Sequence, residues 1–297
     1  PYLIQSAYLK ANDINQIENN LSAQGDYTEQ AYSNSFLITQ ILTPDYIDVN
    51  DNGPDARDYG GWTKFTYRKR YGGNGEWYRH RAPYKQMYYG KGRLNNPYDQ
   101  TGSFSSGEKE VAYLKTIETK THIACFVTSG TTRDDFQDIA AALNLTGAEL
   151  TKFMSYFPAN GTNQPRKDGV DAAKDEEAAN NQKGTRTIEQ LNKIILFSKS
   201  RLDKPVSVTN FEYSNEIWKG IPNTTEAVNS PNSGKLTLKK VWTDTEGLVK
   251  ARIAPYKFEY EYFKKSDYPT FNNYVQSGIF NGYGDGTLNE HPIYRSG

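Results

Sequence analysis

The densest cluster of oxygen-bearing side chains is Asp48-Val-Asn50-Asp-Asn52-Gly53-Pro-Asp55, followed closely by Asp58. Oxygen ligands at positions 1, 3 and 5 and a glycine at 6 match the opening of an EF-hand-type calcium loop. Alternate residues aim at one point, and the glycine permits the tight turn. A full loop places a bidentate carboxylate at position 12, but here that position is Tyr59 and Asp58 falls at 11. Two of the three early ligands are asparagines, which lowers the charge offered to a cation. Asp48, Asn50, Asn52, Asp55 and Asp58 therefore suit either a structural Ca2+ that braces a surface loop or a metal-free Asn/Asp turn. Neither reading requires a cofactor for chemistry.

Other catalytic signals are sparse. His80, His122 and His291 share no metal-ligand spacing, and no HExxH, CxxC or GxSxG motif occurs. The single cysteine, Cys125, lies in an apolar stretch and reads as a small buried hydrophobe rather than a nucleophile. Glu108 with Glu110, and Glu259 with Glu261, stand two apart, which puts each pair on one face of a strand. Glycoside hydrolysis would need two such groups roughly 5–10 Å apart, and salt pairing with lysine is the simpler account. Exposed aromatics are the stronger lead. Trp62, Trp77, Tyr78, Tyr84, Tyr88 and Tyr89 surround segments rich in Gly, Arg and Asn. They suit stacking on a glycan or packing against a protein partner, or else they pave a half-buried sheet.

Composition limits the partners. Lys plus Arg and Asp plus Glu both number 35, so net charge is zero, which argues against a nucleic-acid partner. The basic run Arg68-Lys69-Arg70, with Arg79, His80 and Arg81, reads as a solvated loop. Hydrophobic residues make up 36%, yet there are 23 tyrosines and 13 phenylalanines, so aromatics supply much of the burial. No run approaches the roughly 20 apolar residues of a transmembrane segment. No signal peptide is visible, and the ends read as cuts through a longer chain.

The elements that must position these residues follow a two-part phrase that occurs four times. Its first part is an aliphatic pair three residues apart: Ile38-Thr-Gln-Ile41, Leu114-Lys-Thr-Ile117, Leu191-Asn-Lys-Ile194 and Leu238-Lys-Lys-Val241. Its second part is an aromatic strand: Phe65-Thr-Tyr67, Ile123-Ala-Cys-Phe126, Phe211-Glu-Tyr213 and Phe258-Glu-Tyr260. A recurring strand unit with insertions of unequal length marks a modular β scaffold. The predicted fold is mainly β, an antiparallel repeated-hairpin sheet or shell with a small α-helical insertion. Residues 1–130 form the first part of the scaffold, 131–184 a helical and polar insertion, 185–266 the second part, and 267–297 an irregular segment. Residues 8–24 have helical spacing. Thr132–Leu143 predicts a helix, and Thr146 opens a capping box for a second helix through Phe157. Trp62 to Arg70 alternates aromatic and basic residues, as a strand with one buried and one solvated face would.

The phrase, closing in Ala254-Pro-Tyr-Lys-Phe-Glu-Tyr260, resembles the strand units of Rhs/YD-repeat shells and toxin-complex shell proteins. The defining Tyr-Asp repeat is not repeated here: Tyr98-Asp99-Gln-Thr-Gly102 matches its opening once, without the Arg-Leu that should follow. The resemblance implies a non-catalytic structural or interaction segment of a large bacterial surface or secreted protein. Its partners would be other segments of the same chain or other assembly subunits. The rivals are a carbohydrate-binding or glycan-degrading β-sandwich, with a cleft lined by Trp62, Trp77 and nearby tyrosines, and a calcium-braced adhesin.

Overall fold

The computed structural model describes residues 5–10, 27–28, 33, 35–71, 77–82, 86–88, 101–160, 166–169, 187–217, 230, 234–245, 254–260 and 279–281. The fold is mainly antiparallel β, as the strand pattern predicts. One sheet of eight strands dominates, in the order β13-β12-β11-β10-β9-β8-β4-β3. These are β3 (Gln40–Leu42), β4 (Trp62–Tyr71), β8 (Val111–Thr119), β9 (His122–Thr128), β10 (Leu191–Ser198), β11 (Ser207–Ile217), β12 (Lys235–Asp244) and β13 (Tyr256–Lys257). A second sheet holds β1 (Gln5–Lys10), β2 (Tyr27–Thr28), β5 (Tyr78–Ala82), β6 (Gln86–Tyr88), β7 (Thr101–Lys109) and β14 (Ile279–Asn281). The sheets share one long hairpin. The β4–β8 ladder ends at Tyr71↔Val111 and the β5–β7 ladder begins at Tyr78↔Lys109, with only Glu110 between β7 and β8.

The four phrases are four hairpins with one register. The fourth phrase residue lies opposite the residue two before the aromatic anchor in every unit: Ile41↔Thr63, Ile117↔Ala124, Ile194↔Thr209 and Val241↔Tyr256. The first and last units also share hydrogen bonds. Phe65 N–H donates to the Thr39 carbonyl and Phe258 N–H to that of Lys239. Tyr67 Oη donates to the Ile38 carbonyl and Tyr260 Oη to that of Leu238, both at 2.8 Å.

The junctions between units repeat as well. Phe65↔Ile117 with Tyr67↔Leu114, Phe126↔Ile194 with Thr128↔Leu191, and Phe211↔Val241 with Tyr213↔Leu238 are the same contact three times. At each junction the register shifts by one residue at the second phrase position: Lys115, Asn192 and Lys239. This β-bulge explains the phrase itself. Anchors two apart, both aromatic at the outer junctions and Phe126 with Thr128 at the middle one, face aliphatic anchors three apart because one residue is extruded from the ladder. Without it, one aliphatic anchor of each pair would turn to the other face.

The core lies on the opposite face. Ile123, Cys125 and Val127 of β9 and Ile195 and Phe197 of β10 pack under a helical cap inserted between those strands. The cap comprises a 3-10 turn (Asp134–Phe136), α1 (Gln137–Ala142) and α2 (Gly147–Ser155). Phe136 stacks on Phe157 at 4.0 Å, and Phe153 meets Phe157 and Phe197 at 5.2 and 5.1 Å. The insertion is thus half of the principal core and not an appendage. Cys125 is buried in it, and burial pushes its thiol upward, away from the reactive thiolate.

Three expectations change. Gln5–Lys10 is strand β1, paired along its whole length with β7, so residues 8–10 are not helical; 11–24 fall outside the described residues. Thr146 stands at the N-cap of α2 without a side-chain capping bond; the turn before the first helix is held instead by Asp135, which accepts from Thr132 N–H and Oγ1. The basic face of β4 is the covered one: Arg68 reaches Glu189, while Phe65 and Tyr67 lie on the open side.

Candidate functional site

The loop joining β3 and β4 is organised around Asp58, which is only 2% exposed. Its Oδ1 accepts from Val49 N–H at 3.0 Å, and its Oδ2 accepts from Asp55 N–H at 2.8 Å and Tyr46 Oη at 2.9 Å. Burial alone would raise the Asp58 carboxyl, but these donors outweigh it and hold the group below its ordinary value. Asp48 accepts from Gly53 and Asn50 N–H groups. Asp55 accepts from Arg57 N–H and its guanidinium, with Asn50 Nδ2 alongside. The five candidate ligands do come together, but their carboxylates are taken up by N–H and O–H donors, and a guanidinium sits where a cation would compete. No group of three or more His, Cys, Asp or Glu side chains among the described residues could hold a metal ion. Asp58→Asn should lower the melting temperature by a few degrees, whereas a calcium chelator should leave the melting curve of the native chain unchanged. A drop on chelation would show a bound cation instead. The carboxylate's contribution is fully present above the ordinary aspartate range and is lost as pH falls through its depressed value.

Of the six candidate aromatics, Trp62 and Trp77 are not brought together. Trp62 is 4% exposed, with Lys199 Nζ 4.8 Å from its ring centroid and that lysine paired to Glu118. Tyr78 is 2% exposed under Lys109 Nζ, and Trp77 is half-buried. Trp62 opens β4 and Trp77 lies beyond its far end, so the ten-residue strand separates them by roughly 30 Å. Tyr88 lies on β6; Tyr84 and Tyr89 lie outside the described residues. The carboxylate pairs are engaged singly: Glu108 with Arg79 at 3.0 Å and Glu110 with Lys69 at 3.2 Å. Glu259 is exposed, and Glu261 lies outside the described residues.

Two features escaped the sequence. At the neck of the insertion, buried Glu189 pairs with Arg68, accepts from Thr128 Oγ1 at 2.5 Å, and lies 3.1 Å from Arg70 Nε. Its own N–H donates to Tyr113 Oη at 2.8 Å. Ser129 N–H donates to the Gln190 carbonyl, closing the neck, and a β-carbon on Gly130 would collide with the Glu189 carboxylate. Arg68 Nε is also 3.8 Å from Asp135 Oδ1. Two guanidiniums thus face two carboxylates. This is a latch between cap and sheet.

The second feature is the open face. Residues directly opposite on antiparallel strands share a face, so the registers place the aliphatic and aromatic anchors of the four units, Ile38 apart, on the side away from the cap. None of these anchors is fully buried, against essentially complete burial of Ile123, Cys125 and Phe197 on the other side. Exposure peaks at the two outer strands. Phe36, Leu37, Ile38, Ile41 and Leu42 line one edge, and Tyr256, Phe258 and Tyr260 the other. Contiguous apolar surface at a sheet edge marks an interaction site.

Fold and surface together define a class: an antiparallel β protein assembled from hairpin units in constant register, capped by helices on one face. Compared with protein-family models, curated proteins and solved structures, the chain matches none. Among the described residues no helix is long and apolar enough to cross a membrane.

Proposed function

We propose that the chain is a non-catalytic scaffold segment of a large bacterial surface or secreted assembly, in which hairpin units add side by side to extend a sheet or shell. The observation that carries this reading is the threefold repetition of one junction, bulge included, ending at both outer strands on exposed apolar anchors. An isolated domain normally blunts its edge strands with charge, proline or a covering segment. The likeness of the phrase to Rhs/YD-type strand units supports the same function of display or encapsulation. Hydrogen exchange tests it. Amides of residues 38–42 and 256–260 should exchange at least tenfold more slowly in the intact native assembly than in the 297-residue chain diluted until it is monomeric. Equal, fast exchange in both would refute the proposal.

A further inference from the structure

We infer that the two outer edges of the eight-stranded sheet are complementary halves of a fourth junction, so that β13 of one copy accepts β3 of a second copy. The inference rests on the scaffold reading and specifies its partner. At each internal junction an aromatic strand meets an aliphatic phrase, with the first aromatic opposite the fourth phrase residue. The β13 edge ends in Phe258 and Tyr260, 37% and 39% exposed, with no phrase beside it among the described residues. The β3 edge carries Ile38 and Ile41, 58% and 55% exposed, likewise with no aromatic strand beside it. Each edge displays what the other lacks.

Backbone polarity agrees. The Thr39 carbonyl is turned to β4 and the Lys239 carbonyl to the β13 side, where it accepts from Phe258 N–H. By strand alternation, Gln40 and Glu259 then turn their N–H and C=O groups to the open sides. Strand direction also fits, because the order alternates strictly antiparallel from β3 to β13. In the internal register the residue between the aromatics faces the third phrase residue, as in Thr66↔Thr116 and Glu212↔Lys240. The new junction would therefore set Glu259 against Gln40 with no like-charge pair, and Thr39 would take the bulge. Such a contact is head-to-tail, so it propagates as an open chain unless rotation closes it into a ring.

The test uses the 297-residue chain and two edge-blocked variants, Gln40→Pro and Glu259→Pro. Each removes an outward N–H, the position at which an edge strand tolerates proline. By sedimentation velocity the native chain should form a concentration-dependent series of oligomers. Each variant alone should stay monomeric, because every contact needs one intact β13 and one intact β3, and an equimolar mixture should yield a capped dimer joined through the one edge left intact on each partner. A charge exchange reads the register without proline: Gln40→Glu, set against Glu259, should weaken association about threefold, and adding Glu259→Lys to the same chain should restore it. A native chain that stays monomeric, a mixture that forms no dimer, or a charge exchange that changes nothing would overturn the inference. If the chain stays monomeric while its edge amides are protected in the native assembly, self-complementarity fails but the scaffold reading survives. If both fail, the scaffold reading falls with it.

Discussion

Replacing Glu189 with alanine is expected to lower the unfolding free energy by about 3 kcal/mol, measured by urea denaturation. Removing one member of a buried ion pair leaves the other charged and poorly solvated, which typically costs about 3–5 kcal/mol. Here the lower end applies. Asp135 remains 3.8 Å from Arg68 Nε, and Arg70 is about half exposed and can turn to water. The loss should show a pattern that simple cavity formation would not. Combining Arg68→Met with Glu189→Leu should recover much of the stability, because well-packed apolar groups often replace a buried pair at little cost. Should the double variant be as unstable as the single one, the latch works through its threonine and tyrosine hydrogen bonds rather than through charge.

The second large effect is expected at Phe153. Its ring is fully buried between Phe157 and Phe197 and joins α2 to β10 of the sheet. Phe153→Ala should cost about 3–5 kcal/mol, from lost transfer energy plus the cavity left behind. Phe211→Ala, an anchor on the open face, should cost less than half as much in the isolated chain, because Phe211 is only half-buried there. Similar losses at both positions would mean that the open face is covered in solution by something within the chain.

The hairpins were legible in the sequence because residue type repeated: aliphatic pairs at 38, 114, 191 and 238 and aromatics after them each became an anchor. The bulge was not legible. Lys115, Asn192 and Lys239 carry no local signal of extrusion, and a shift exists only relative to a partner strand. Nor was the basic strand read correctly. Arg68 and Arg70 look solvated until Glu189 arrives, and Glu189 lies 121 positions from Arg68. A basic pair at strand spacing two, beside an anchor on a known β strand, was the available hint. Leu9, Ile14, Ile17 and Leu21 have helical spacing, but pairing of β1 with β7 overrides it over Gln5–Lys10. Trp62 and Trp77 come apart for a related reason. Trp62 and Trp77 are near in sequence, yet an extended strand carries neighbours apart faster than any other element.

Disulfide trapping of the repeated register tests the scaffold most directly. The same cross-strand position recurs in all four hairpins as Gln40↔Lys64, Thr116↔Cys125, Lys193↔Asn210 and Lys240↔Lys257. In the first and last units the neighbouring Thr39/Phe65 and Lys239/Phe258 positions carry the hydrogen bond. That makes these the non-hydrogen-bonded pairs, whose α-carbons lie about 4.5 Å apart, within disulfide range. Thr116→Cys would pair with the native Cys125, and the other three sites need two cysteines each. The three accessible sites should close quantitatively on mild oxidation of the folded chain, and the fully buried Thr116–Cys125 site when oxidation accompanies refolding. A control shifted by one residue, Lys240→Cys with Tyr256→Cys, should not close, because its side chains leave opposite faces. Closure of shifted pairs in place of the native ones, in any of the four units, would contradict a scaffold built on one repeated register.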